Sequence, residues 1–456
     1  MKSAVVKYIG LITIGISMNF INGCSKDQNT QPDQRTGDQN IFQKSYGRTD
    51  NDYATAIKQT SDKGYIVAGG TSTGTRQLDI YLVRTKANGD TIWTKMIGIA
   101  GADYTYASAV IATSDGGYLI CGTVSVSGNG FALTSILLIK TNSKGDVAWI
   151  KKYSAALTGP SIQNYARDVK QTADGGFIVL GISQDWTTMY VSLFKTDDKG
   201  NLNWSKITAG PSRVFNPWSL QLTNDGIIIT GDVGNANPGN DLDSYFLKTD
   251  LNGNIIWAKT YGSSKYESIS SGGQTSDGGY FMAGIRGIQS WIMYSFLAKT
   301  DNNGNILWSK NYFAMGFLGS ALQTTDGGFI LEGINAGDQK AYLVKTDNNG
   351  DVLWTKTYGG RIREDGFSIQ QTEEGGFIVA GSIDSSGSGN SDIYILKTDN
   401  KGFSGGCNEA DKTTNVSTEN IIVSNFAPTT FSGINVSDVF NYSVTSGGKV
   451  TKICPQ

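Results

Sequence analysis

The chain has no histidine among its 456 residues. That excludes histidine triads, histidine general bases and ordinary histidine-ligated zinc or copper sites. An excess of charge of either sign is missing too. The formal net charge is −2, so there is no electrostatic footprint for nucleic acid, and no nucleic-acid partner is expected. Beyond the first 23 residues no run is long and apolar enough to span a bilayer. Proline is scarce, at 7 residues, whereas glycine is abundant, at 58. That balance fits short strands joined by tight turns, and there is no collagen-like period.

What is present is a repeat. The stretch Lys345 to Gly360 reads as a strand end, a tight turn at Gly350 and a second strand carrying Trp354. The turn-to-tryptophan spacing recurs as Asp197/Gly200/Trp204, Asp250/Gly253/Trp257, Asp301/Gly304/Trp308 and Asp347/Gly350/Trp354. Two earlier copies change the acid: Lys86/Gly89/Trp93 and Asn142/Gly145/Trp149. The turn glycines Gly89, Gly145, Gly200, Gly253, Gly304, Gly350 and Gly402 lie 46 to 56 residues apart.

Each unit carries four short runs rich in Ile, Val, Phe and Tyr, the pattern of strands. An Asp-Gly-Gly turn, as in Asp115-Gly116-Gly117, joins the first two strands, and glycine there supplies the positive φ a tight turn needs. Four-stranded antiparallel units repeated seven times predict an all-β, seven-bladed β-propeller over residues 41–406. The seventh unit stops at Gly402 without a fourth strand. Phe42 to Gly47 matches Trp354 to Gly359, so this N-terminal strand is expected to complete the last blade and close the ring.

The units resemble the propeller repeats common in exported proteins of Bacteroidota. The shared motifs are Asp-Gly-Gly-Tyr/Phe-Ile-Val-Ala-Gly and Lys-Thr-Asp-x-x-Gly-x-x-x-Trp. The resemblance covers about four-fifths of the chain. It implies the architecture and an exported setting, and names no substrate.

Residues 1–23 read as an export signal, with basic Lys2 and Lys7 before a mostly apolar Tyr8 to Ile21. Ile21-Asn22-Gly23-Cys24 resembles a bacterial lipobox, which implies acylation of Cys24; ordinary signal cleavage near Gly23 is the alternative. Residues 24–40 read as a flexible tether. The expected location is the cell envelope, lipid-anchored, at the outer membrane, with the lipid as the only membrane contact. Of the remaining cysteines, Cys121 lies in an apolar strand and reads as a buried thiol. Cys407 and Cys454 lie beyond the last repeat in an exported chain, and a disulfide between them is expected to hold residues 407–456 as a short C-terminal extension.

Most repeated residues read as structural. The Asp-x-x-Gly-x-x-x-Trp element resembles the tryptophan-docking motif of quinoprotein dehydrogenases with a shorter turn, and Asp-Asn-Asn-Gly resembles part of a calcium loop. The alternating ligand pattern with a distant bidentate acid is absent. A hairpin turn with a tryptophan packed between blades is the preferred reading, with no cofactor and no metal expected. Asp232, Asp241 and Asp243 could hold a cation, and a solvated polar loop is the preferred reading. The repeated lysines, such as Lys95 and Lys356, are read as stems covering the tryptophans.

The candidate site rests on what the repeat does not explain. Six of the 9 tryptophans belong to it, leaving Trp186, Trp218 and Trp291. Trp218 stands where other units have Thr55, Ser108, Arg167, Gly319 or Phe367, so it is not a shared packing requirement. With Phe215, Arg213 and Arg167 these tryptophans form the expected ligand-binding set, on the loop-rich face beside the channel mouth. No catalytic residue is assigned. The leading reading is a non-enzymatic binding or scaffold propeller with a glycan or envelope protein as partner. The alternatives are a histidine-free polysaccharide lyase or glycosidase, and a purely structural envelope component.

Overall fold

The computed structural model describes residues 40–452, except 49, 73–77, 129–130, 158–161, 186, 211–213, 235–241, 264, 288–292, 314, 336, 338, 360–363, 385–390, 407, 440 and 448. The described chain is all-β and forms a β-propeller. Each repeat is an antiparallel meander, as in Gln163–Gln171, Phe177–Gln184, Met189–Thr196 and Leu202–Ala209.

The second and third strands of each repeat are buried almost throughout, so their alternate side chains pack against both neighbouring repeats. That explains why they read as continuous apolar runs. Cores such as Ile178, Leu180, Leu193, Ile227, Ile229 and Leu247 lie between one repeat and the next.

The sheet count corrects the expectation of seven separate four-stranded blades. Five blades are separate sheets, and each has five strands. The first two repeats, from Asp52–Gln59 to Val147–Ala155, share one ten-stranded sheet joined by a single parallel pairing, Leu78↔Tyr104. Phe42–Gly47 pairs with Ser391–Thr398, the third strand of the last repeat.

The additional strand comes from the C-terminal segment. Glu409–Asp411 adds to Val352–Tyr358, Val416–Thr418 to Ile306–Tyr312 and Ile422–Asn425 to Ile255–Gly262. Thr429–Phe431, Ile434–Asp438 and Tyr442–Thr445 follow on Leu202–Ala209, Val147–Ala155 and Thr91–Ile99. Lys449–Lys452 ends on Phe42–Gly47. The segment expected as a short extension is thus a belt that runs backwards through the repeats and covers each outer edge. Edge strands left open would invite pairing with other chains. Cys407 and Cys454 lie outside the described residues; Cys121 is a buried free thiol.

The repeated residues stitch neighbours together. The Tyr153, Tyr261 and Tyr312 hydroxyls donate to the carbonyls of Gly200, Gly304 and Gly350 in the following repeat, at 2.7, 2.9 and 2.8 Å. Tyr46 of the N-terminal strand does the same to Gly89. The tryptophans cover these turns: a Cβ on Gly145, at φ 77°, would lie 2.8 Å from the Trp93 ring. Asp197 Oδ1 accepts from the Lys199 and Asn201 amides, so its carboxylate is spent inside its own turn. Cations ending the third strands pair with the Asp-Gly-Gly acids, as Lys140 with Asp115 at 2.8 Å and Lys299 with Asp277 at 2.6 Å. These ion pairs staple the turns between the first and second strands.

Candidate binding site in the central channel

The first strand of every repeat carries a β-bulge at one equivalent place. The register slips between Ala54/Ala56, Ala107/Ala109, Ala166/Asp168, Pro217/Ser219, Ile269/Ser271, Leu318/Ser320 and Gly366/Ser368. The extra residues are Thr55, Ser108, Arg167, Trp218, Ser270, Gly319 and Phe367. A bulge frees one residue from pairing and re-aims its side chain. These first strands enclose a cavity of about 760 Å³, to which Thr55, Ser108, Arg167, Trp218, Ser270 and Gly319 all contribute lining. Strands from all the repeats meet there, so the cavity is the central channel.

The small bulge residues tie repeats together. Thr55 Oγ1 donates to Ala107 O at 2.9 Å and Ser270 Oγ to Leu318 O at 2.9 Å. Arg167 and Trp218 break the sevenfold pattern. The Arg167 guanidinium lies over the Trp218 ring, 4.2 Å from its centroid, and Nη2 donates to Asn216 Oδ1 at 3.2 Å. Trp218 Nε1 donates to Asp232 Oδ2 at 2.6 Å, which fixes the indole plane, yet the residue remains 36 % exposed. Such an aromatic, held by its polar end and still partly exposed, suits stacking.

Asp232 is buried behind Trp218. Its carboxylate also accepts from Ser268 Oγ at 2.9 Å and the Ile269 amide at 2.8 Å. Burial pushes its carboxyl up to about 6; the hydrogen bonds and Arg167 oppose that rise. In the second repeat Thr123 does the same for its neighbour, accepting from the Ala166 amide at 3.0 Å.

Tyr53, Tyr106 and Tyr165 stand two residues before the bulge on the first three repeats, half-buried. Burial pushes the Tyr53 phenol up to about 12 and raises those of Tyr106 and Tyr165, so all three are protonated donors at neutral pH. Further along the same strands Lys58, Asp168 and Lys170 line the cavity. Asp168 accepts from Lys170 Nζ at 2.6 Å, from its neighbour Val169 N at 2.7 Å and from Leu220 N at 3.1 Å.

Of the six residues expected from sequence, the structure brings Arg167 and Trp218 into contact. It removes Phe215, which is fully buried, 4.3 Å from the Tyr245 ring centroid and 5.8 Å from that of Phe426 in the belt. Its equivalents Asp52 and Glu267 accept amide hydrogens from the preceding connection. This repeat uses packing there instead, so Phe215 is core. Trp186, Trp291, Arg213 and Asp241 lie outside the described residues. Among the described residues no acid, cysteine or histidine cluster fit for a metal is present. Sequence reading missed the tyrosines, Lys58, Asp168 and Lys170. Aligning the first strands on their bulge, rather than on the turn glycines, exposes them.

No protein-family profile matches the chain, and no curated protein sequence matches it. Similar folds are found among solved structures. A protein of unknown function from Dyadobacter fermentans is 11 % identical, with a TM-score of 0.41, covering 78 % of this chain and 98 % of that one. The polysaccharide lyase Uly1 is 9 % identical, TM-score 0.45, covering 82 % and 94 %. The exo-β-1,3-galactanase 1,3Gal43A from Clostridium thermocellum is 13 % identical, TM-score 0.32, covering 80 % and 87 %.

Proposed function

We propose that this chain is a binding propeller whose channel holds a saccharide, with Trp218 as the stacking platform and Arg167 as its charged partner. The observation that carries this reading is the placement of Arg167 and Trp218 as bulge residues on adjacent repeats, in contact, where the other described lining positions hold Thr, Ser or Gly. A glycan fits better than a protein because the platform is recessed in a cavity. Catalysis by a carboxylate pair is disfavoured: Asp168 is the one acid among the described lining residues, and glycoside hydrolysis uses two. The raised tyrosines argue against a phenolate base.

In the same reading the ten-stranded sheet is two blades sharing one bridge, which makes seven. The first 23 residues act as an export signal and Cys24 is acylated, anchoring the chain in the cell envelope. Labelled fatty acid should enter the protein and fail to enter a Cys24→Ser variant.

The binding test is calorimetric titration of the full chain with a panel of oligosaccharides. A ligand bound by wild type and lost in Trp218→Ala supports the reading. Binding that ignores this substitution, or a wild-type chain that binds envelope proteins and no saccharide, overturns it.

A further inference from the structure

The charged groups of the channel do not balance. Lys58, Arg167 and Lys170 line it against one carboxylate, Asp168. That carboxylate is already taken by Lys170 and two backbone amides. The Lys58 ammonium makes no hydrogen bond or ion pair among the described residues; burial, and then Lys170, push it down to about 8, against the opposing pull of Asp168. Arg167 Nε is buried with no acceptor. The acid whose charge favours the Arg167 guanidinium, Asp232, is committed to Trp218, Ser268 and Ile269. The Lys58 ammonium and Arg167 Nε are therefore left without acceptors on residues that line one cavity, an arrangement that costs free energy until an anion arrives.

The surroundings narrow the anion. A cavity of about 760 Å³ is far larger than an inorganic oxyanion needs. Its lining offers hydroxyls and amides, including Ser219, Ser271, Gln221 and Gln274, beside the open indole of Trp218. A ring that stacks, carries hydroxyls and bears one negative charge meets all three features. We propose that the channel is selective for acidic saccharides: a uronic-acid unit lies on Trp218, and Arg167 and Lys58 receive its carboxylate. This rests on the saccharide reading above and adds the charge of the ligand.

The test compares an oligogalacturonate with a neutral galactose oligomer of equal length, titrated into the full chain. Sodium sulfate and a short acidic peptide are the other two probes. The uronate should bind at least tenfold tighter than the neutral oligomer. Lys58→Met should lower uronate affinity about tenfold and shrink that preference in proportion. The variant should melt no lower than wild type, because it removes a charge with no partner. Equal affinity for both oligomers, or an unaltered preference in Lys58→Met, overturns the acidic selectivity while saccharide binding stands. Tighter binding of sulfate or the peptide, sensitive to Lys58→Met, moves the subsite to another ligand class and overturns the uronate. No binding of either oligomer overturns both readings.

Discussion

The Arg167 guanidinium rests on the Trp218 indole at 4.2 Å, each carried on a β-bulge of adjacent repeats. A cation over a ring contributes roughly 0.5–2 kcal/mol, and more as water is removed. Trp218→Ala should abolish ligand binding and cost about 2 to 3 kcal/mol, through this contact and the lost hydrogen bond to Asp232. Trp218→Phe keeps the ring and drops the donor. It should bind ligand yet unfold at lower denaturant than wild type. Equal binding by the alanine variant would contradict the role of the ring.

Asp232 gives a pH signature with a definite sign. Its carboxyl is pushed up to about 6 in the fold, from an ordinary 3.8. Between those values the native state holds a proton that the unfolded chain releases. The stabilisation is fully present below about 4 and is lost as pH rises through 6. Asp232→Asn removes this dependence. The stability of wild type relative to the variant should therefore improve by about 2.5 kcal/mol from pH 7.5 to pH 4, most of the about 1.4 kcal/mol for each pH unit separating the folded and unfolded values. Denaturant titrations of both proteins at the two pH values check it. A difference that stays constant would show that the carboxyl is not perturbed.

The belt makes the fold's outer edge, so its removal has a large expected effect. Ending the chain after Gly406 uncovers the fourth strands and strips Phe426 from Phe215 and Tyr245, and Ile434 from its core. Burying one such side chain contributes about 1.5–3 kcal/mol. The truncated chain should lose at least about 5 kcal/mol and associate through its open strands. A monomer of unchanged melting temperature would show the belt to be dispensable.

The belt also gives the expected cysteine pair a purpose. Ser404 is hydrogen-bonded to Gln43 at 2.8 Å, and Lys452 pairs with Lys44 in the same N-terminal strand. Ser404, shortly before Cys407, and Lys452, shortly before Cys454, thus both contact Phe42–Gly47. A bond between the two cysteines would fasten the belt's ends; the chain-entropy model assigns about 4 kcal/mol to such a loop. An unreduced digest should yield one peptide pair carrying Cys407 and Cys454. Two free thiols in protein from an oxidising compartment would refute the bond.

The propeller was legible because its signals are local and repeated. The turn glycines, the spacing to tryptophan and the match of Phe42 to Trp354 each depend on short stretches. The belt was not legible. Its strands are three to five residues long, half-exposed and without a period, and only pairing with distant edges makes them strands. Trp218 and Arg167 could be singled out because they depart from their equivalents. Phe215 departs too, yet it turns inward, because the belt supplies Phe426 as a neighbour. Lys58 carries no local mark. Its isolation appears only when strands from seven repeats enclose one space.

Where a ligand sits on the propeller is the most direct test of the proposed site. A crystal structure of the chain with a bound oligosaccharide decides it. The account predicts a sugar ring in the central channel, parallel to the Trp218 indole at about 4 Å, with Arg167 beside it. A ligand seated on the belt or the outer blade faces, with Trp218 untouched, would contradict it.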